Sequence, residues 1–331
     1  MRIALDAMGS DRAPAVEVEG AVGALLGRTD ALRVVLVGDV ERIEEELSKH
    51  PDAPRDRIDL EHASEVIEMG ESPAQAVRRK RDSSIVVGLK LLKAGAVDAF
   101  ISAGSTGAVM AGSLVILRAL PGVDRPAIGA RIPTATGRTL AVDVGANVDT
   151  RPHHLVQFAE LGHIYAQDLL GVENPRVGLL NIGEEPEKGN EVVIEAHQLL
   201  AAGGRVNFVG NVEGRDILKG KCDVLVADGF VGNVLLKFYE SVAGMITGLI
   251  RKEIESTGVE LDVDRIFRQL DYTATGGAPL LGVNGVVIIC HGGSPPAAIR
   301  NAIGVAAQSV ERRMVEHMAA RLAAAEPTVG P

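Results

Sequence analysis

The chain has 331 residues, 46% of them hydrophobic and 24% charged, enough apolar side chain for a substantial core, which excludes disorder and small stapled scaffolds. Two cysteines, Cys222 and Cys290, exclude a disulfide framework and a four-thiolate zinc site built from one chain. A formal net charge of −10, with 3% aromatic residues and no tryptophan, argues against a nucleic-acid partner, which demands a basic face and stacking rings.

Short β-rich runs alternate with helical stretches along the chain. Ile3–Leu5 precedes a polar glycine loop and a helix over Pro14–Leu26, with proline in its first turn. Val34–Val37 leads through Gly38-Asp39 into a charged helix over Val40–Lys49. Ala99–Ile101 precedes Ser102-Ala-Gly-Ser-Thr-Gly107 and an apolar helix. Leu140–Val144 precedes Gly145-Ala-Asn147 and a helix from His153 to Leu169. Val177–Leu180 opens the loop Asn181 to Asn190, ahead of a helix over Val192–Leu200. Val224–Ala227 precedes Asp228-Gly-Phe-Val-Gly-Asn233 and a long helix, and Val286–Cys290 precedes His291-Gly-Gly-Ser294 and a closing helix over Pro296–Ala324.

Continuous apolar strands between helices imply a buried, mostly parallel sheet, so the fold expected is a three-layer α/β/α arrangement. No Pro/Ser-rich linker and no 20–50-residue repeat interrupts it, and 1–331 reads as a single domain. Residues 234–271 break the βα rhythm with two successive helices, either a hairpin lying on the sheet or an arm for self-association. No run of about 18 apolar residues is long enough for a bilayer span. No basic-then-apolar leader precedes the first strand, so a cytoplasmic protein is expected.

In open α/β sheets, ligands bind beyond the carboxyl ends of the strands. Here those ends carry glycine, small hydroxyls, Asn and Asp, each before a helix, and glycine loops at helix N-termini suit phosphate or another oxyanion. Neither a dinucleotide fingerprint, nor a P-loop, nor a nucleophile elbow is present. His153, His154 and His163 form no zinc motif, and no metal is expected. Lys188 either holds a phosphate or pairs with Glu184, Glu185 or Glu187. His291, at a glycine-rich strand end, is a candidate for proton exchange. Cys290 reads as a buried small hydrophobe, with a thiolate activated by His291 as the alternative.

In combination, Asp6-Ala-Met-Gly-Ser-Asp11, Ser102-Ala-Gly-Ser-Thr-Gly-Ala108, Asp143-Val-Gly-Ala-Asn-Val-Asp149 and Gly178-Leu-Leu-Asn-Ile-Gly-Glu-Glu185 with Lys188-Gly-Asn-Glu191 are motifs of a known family. Gly210-Asn-Val-Glu-Gly-Arg-Asp216, Asp228-Gly-Phe-Val-Gly-Asn233 and Gly276-Gly-Ala-Pro-Leu-Leu-Gly282 complete the set. The chain resembles the bacterial phosphate acyltransferases from residue 1 to about 316. The resemblance implies transfer of a long fatty acyl group from acyl carrier protein to inorganic phosphate, giving acyl phosphate for glycerol-3-phosphate acylation in phospholipid synthesis. It also implies a fold like the isocitrate/isopropylmalate dehydrogenases and phosphotransacetylases, a homodimer, and no metal or nicotinamide cofactor. Transient peripheral contact with the membrane and coupling to a glycerol-3-phosphate acyltransferase belong to the same picture. Ser10 stands where the family generally has glycine, and Ser105 where asparagine is usual. Glu253, Glu255, Glu260, Asp262 and Asp264 make the arm's tip acidic, which opposes docking on anionic lipid.

On this reading Lys188 and the amides around Gly104, Ser105, Thr106 and Gly107 hold phosphate. Asn233 or Asn181 polarises the thioester carbonyl, and His291 manages the proton. Asp6, Gly9, Ser10, Ser102, Asn147, Asn190 and Asp228 complete the expected substrate-binding set. Arg78, Arg79, Lys80 and Arg81 form the one dense basic cluster, either a docking patch for the acidic carrier or a solvated helix end. Two other functions fit these loops: a phosphotransacetylase using short acyl-coenzyme A, and a non-catalytic protein that binds an anion or phosphopantetheine.

Overall fold

The computed structural model describes residues 1–28, 30–257 and 276–325. In chain order it contains β1 (Arg2–Asp6), α1 (Ala15–Leu25), β2 (Arg33–Gly38), α2 (Val40–Ser48), β3 (Ile58–His62), α3 (Pro73–Arg79), α4 (Ser84–Lys93), β4 (Ala99–Ser102) and α5 (Thr106–Ile116). There follow β5 (Ala127–Thr134), β6 (Gly137–Val142), α6 (Pro152–Asp168), β7 (Arg176–Asn181), α7 (Glu191–Gly203), β8 (Asn207–Glu213), β9 (Val224–Val226) and α8 (Gly229–Thr257). The last elements are β10 (Ala278–Leu281), β11 (Val286–Ile289), α9 (Pro296–Glu311) and α10 (Met314–Ala325).

These elements gather into two compact units, although the sequence carries no linker and reads as one domain. The first comprises Met1–Pro126, Asp168–Gly171 and the described chain from Gly276 onward; the second comprises Ala127–Gln167 and 172–257. Among the described residues the chain passes between them after Pro126, at the last residue of α6 and after Gly171. Composition holds no trace of the division.

In the first unit the strands lie in the order β3-β2-β1-β4-β11-β10. All neighbours are parallel except β10 and β11. Ile3, Ala4, Leu5, Val34, Leu36, Phe100 and Ile101 are buried along these strands. They are the continuous apolar runs that a sheet covered on both faces requires. Helices α4 and α5 pack together, as do α1 and α9, and both pairs lie against the central strands. The α4 contact needs a glycine, because a Cβ on Gly88 would strike the Phe100 ring. From β1 the chain moves to β2 on one side, and β4 returns on the other. The crevice beyond β1 and β4 is thus a switch point, where ligands of such sheets bind.

The second unit has the order β5-β6-β9-β7-β8, parallel except for the β5/β6 hairpin. Its switch point lies beyond β7 and β9. The foreseen strands and helices are present with ends shifted by up to three residues, while β3, β5, β8 and β10, the short α3 and α4 carry weaker signals. At the ends of the sequences of strands given above, β3 and β8 carry Asp59, Glu61, Asn207 and Asn211, polar residues of the kind strand edges tolerate. Gly129, Arg131 and Pro133 interrupt β5, and Pro279 interrupts β10. The closing helix is also divided. Arg313 takes a left-handed conformation at φ 50° between α9 and α10, with no glycine or proline to announce the break.

Of the expected arm over 234–271, α8 accounts for 234–257, and the second helix of that reading lies outside the described residues. Within the described part, α8 leaves Val231, Val234, Phe238, Met245 and Leu249 exposed. Among the described residues no helix is long and apolar enough to cross a membrane.

Candidate active site

Asp6, the last residue of β1, is fully buried. Its carboxylate accepts the Ser102 hydroxyl at 2.6 Å and the Met8 amide at 3.0 Å, with the Ser84 hydroxyl as a further donor. Burial pushes the Asp6 carboxyl up, and these donors oppose that rise. The bond to Ser102 ties the ends of β1 and β4 together across the switch point. Ser102 in turn accepts the Gly104 amide at 3.0 Å. A Cβ on Gly9 would lie 2.5 Å from the Gly104 nitrogen, so only glycine lets these two loops touch.

Ser105 caps α5, its hydroxyl accepting the Ala108 amide at 3.4 Å. Thr106 is exposed and Gly107 half-buried just beyond it. With a neutral cap, the positive end of α5 stays available to an anion. The loop after β11 joins the same group, since Asp11 donates its amide to the Gly292 carbonyl at 2.9 Å. His291 is exposed, and its Nδ1 accepts the Gly293 amide at 3.1 Å. That bond makes Nδ1 the acceptor and leaves the ring proton on Nε2. Beside it, burial pushes the Cys290 thiol up to about 12, with the charge of Glu17 adding to the effect. Cys290 is a thiol at neutral pH and no nucleophile.

In the second unit, Asp143 is buried and accepts five donors: the amides of Ile128 (2.9 Å), Gly145 (3.3 Å), Ala146 (3.1 Å) and Asn147 (2.7 Å), and the Asn147 side chain (2.9 Å). Asn147, expected to bind substrate, spends its side-chain donor on this loop. Gly229 donates its amide to the Asn147 carbonyl at 2.8 Å, and Gly232 faces the Asp143 backbone where no Cβ fits. Asp228 caps α8, accepting the Val231 amide at 2.9 Å, so a carboxylate already meets the positive end of that helix. Asn233, early in α8, is half-buried and its side chain has no hydrogen-bond partner among the described residues.

Asn181 is committed to its own loop. Its amide donates to the Lys188 carbonyl at 2.8 Å and its oxygen accepts the Ile182 amide at 2.8 Å. Asn190 caps α7 by accepting the Val193 amide at 2.9 Å. Both side chains thus shape the loop that carries Lys188. Lys188 itself is exposed and makes no ion pair among the described residues, while Glu184 pairs with Lys221 at 2.6 Å. The pairing of Lys188 with Glu184, Glu185 or Glu187 that the sequence offered is not present among the described residues.

Arg78 and Arg79 end α3 and are exposed, as is Arg81. Lys80 is drawn inward to the Val66 carbonyl and the Glu71 carboxylate, which leaves a patch of three arginines. Helix α3 rests on α5, with Pro73 against Gly107. His154 is buried and its Nδ1 accepts the Arg151 amide at 3.0 Å, a cap at the start of α6. Two buried acids carry no role in the sequence reading, although Asp143 opens one of the family motifs. Asp143 is a single acid within the apolar run Leu140–Val144, and Glu17 shares a helical stripe with Gly20, Ala21 and Ala24. An acid at a core position was the signal in each case.

The fold is that of the phosphotransacetylases. A phosphotransacetylase from Streptococcus pyogenes superposes with a TM-score of 0.61 at 20% identity over 94% of each chain. EutD phosphotransacetylase from Staphylococcus aureus gives 0.59 at 17% identity, again over 94% of each. The family model described as "Fatty acid synthesis protein" matches residues 1–317. A phosphate acyltransferase of Halothermothrix orenii is 49% identical over 324 residues, 95% of this chain and 96% of that protein. One of Desulfitobacterium hafniense is 50% identical over 327 residues, 96% of each. The chain belongs to the fatty acid synthesis protein family, together with these phosphate acyltransferases.

Proposed function

We propose that this protein is a phosphate acyltransferase that moves a long-chain fatty acyl group from acyl carrier protein to inorganic phosphate. The observation that carries this reading is the union of three strand-end loops through Asp6, Ser102 and Asp11 beside the neutral-capped N-terminus of α5. A phosphate oxygen attacks the thioester carbonyl, the C–O bond forms and the C–S bond breaks. The proton of hydrogen phosphate passes to the departing sulfur, giving acyl phosphate and free carrier thiol. Phosphate is itself the nucleophile, so no covalent enzyme intermediate is required; the raised Cys290 thiol agrees with that. What the chemistry needs is anion binding and donors at the developing oxyanion.

The amides around Gly104–Gly107 hold phosphate, and Lys188 supplies a cation to the anionic substrate. Asn233, whose side chain makes no hydrogen bond among the described residues, polarises the carbonyl in preference to Asn181. The bond from Gly293 favours His291 as a neutral Nε2–H donor to developing negative charge over a role as base. The arginine patch receives the acidic carrier protein. The apolar face of α8 pairs two copies of the chain into a homodimer, its exposed Val231, Phe238, Met245 and Leu249 and half-buried Leu235 and Val242 alternating at spacings of four and three as in a coiled-coil seam. The product suits a glycerol-3-phosphate acyltransferase, which would bring the protein into transient contact with the cytoplasmic face of the membrane.

The deciding experiment follows phosphate-dependent release of thiol from palmitoyl-acyl carrier protein, with palmitoyl-coenzyme A in parallel and sulfate as control anion. Release that requires phosphate and prefers the carrier protein is expected. Release from coenzyme A alone would transfer the protein to the phosphotransacetylase reading, and no release with phosphate binding retained would make it a binding protein.

A further inference from the structure

Glu17 lies on α1 with no exposed surface, behind the loop that follows β1. Its Oε1 accepts the Ser10 amide at 3.0 Å, and the Ser10 hydroxyl bonds the same carboxyl. Its Oε2 is buried with no partner. A buried carboxylate oxygen without a donor is costly when charged and far less so when protonated. Ser10 belongs to the loop that touches Gly104 through Gly9 and Gly292 through Asp11, so Glu17 grips the piece of chain that links all three strand-end loops.

The groups around Glu17 hardly neutralise a charge there. Asp6 on β1 adds a like charge, and the Cys290 thiol after β11 is neutral. From α2, Arg42 is engaged with the Ala13 carbonyl at 3.0 Å. From α9, Arg300 lies against Gly23, nearly two turns along α1. Burial accordingly raises the Glu17 carboxyl from about 4.5 to about 7.

Resting on the phosphate-binding reading of these loops, we infer that Glu17 is a positioning residue whose proton governs how Ser10 and its neighbours receive phosphate. Neutral Glu17 is a weak acceptor and leaves the Ser10 donors free to turn toward the anion. Ionised Glu17 holds them by charge-assisted bonds and places a negative charge behind the phosphate. Phosphate binding therefore weakens as Glu17 loses its proton.

The test compares the full-length protein with Glu17→Gln, which keeps the shape and cannot ionise. Inorganic phosphate binding by calorimetry, and KM for phosphate in the thiol-release assay, are measured from about pH 6 to about pH 8.5. Phosphate's own ionisation is common to both proteins. The wild type is expected to lose roughly three- to tenfold more affinity than Glu17→Gln over that range, with kcat little changed. Superimposable pH profiles would overturn the inference while leaving the enzyme reading intact. Divergent binding profiles without thiol release would support the inference and overturn the enzyme reading. No phosphate binding at any pH would overturn both. Infrared difference spectra give a check independent of substrate. A protonated-carboxyl stretch that disappears near neutral pH in the wild type, and is absent from Glu17→Gln, supports the inference; a carboxyl already ionised at about pH 6 refutes it.

Discussion

Glu17 also writes itself into stability. In the unfolded chain its carboxyl ionises near 4.5, whereas the folded chain keeps the proton to about 7. Between those values the folded form binds more protons, so its stability falls as pH rises and stays lowered above the upper value. Glu17→Gln removes that loss. Urea unfolding is expected to show the variant gaining on the wild type from about pH 5 to about pH 7, by on the order of 3 kcal/mol at the upper end. A constant difference across that range would contradict the raised carboxyl. His291 offers a sharper kinetic test. If its Nε2–H is a donor, His291→Ala should lower kcat by about 10²-fold while His291→Gln, which keeps an N–H, loses under about tenfold. Equal losses would restore the base. Lys188→Ala should reduce kcat/KM for phosphate by at least about tenfold, and full turnover in a folded variant would remove Lys188 from the site.

Elements set where these residues stand. Asp6 and Ser102 meet because β1 and β4 are parallel neighbours, although 96 residues separate them in the chain. The strand ends and their glycine loops were legible beforehand, because buried parallel strands are continuous apolar runs. Which loop side chains serve the loop itself was not. Asn147, Asn181 and Asn190 stand among glycines in the sequence, and each spends a side-chain hydrogen bond on its own loop or helix cap. Asn233 has the same composition around it and remains uncommitted. Sequence shows an amide at a strand end; only the neighbouring backbone says whether it is spent. On α8, a Phe238→Glu substitution places a charge in the proposed seam, and sedimentation equilibrium should then report a monomer. A dimer that persists would move the interface elsewhere.

For the whole molecule, electrostatics frames the proposed encounter with an acyl carrier protein. Two acidic proteins repel at long range, and at −10 this chain needs a local exception to the general field. Arg78 and Arg79, on a helix seated against α5, and Arg81 just beyond it are the patch proposed to provide one. Reversing Arg78 and Arg81 to glutamate should raise KM for acyl carrier protein about tenfold at low salt and flatten its salt dependence, with KM for phosphate unchanged. Unchanged carrier kinetics would reject the patch. The sequence by itself determined the layered α/β fold, its strand-end loops and the family, because apolar runs, glycines and motif combinations are local patterns. Tertiary structure alone decided the division into two units, the burial of Glu17 and Asp143, the tautomer of His291 and, among the described residues, the absence of an ion pair at Lys188. Each of these depends on which groups arrive from distant parts of the chain to supply or withhold a hydrogen bond, and no local pattern records that.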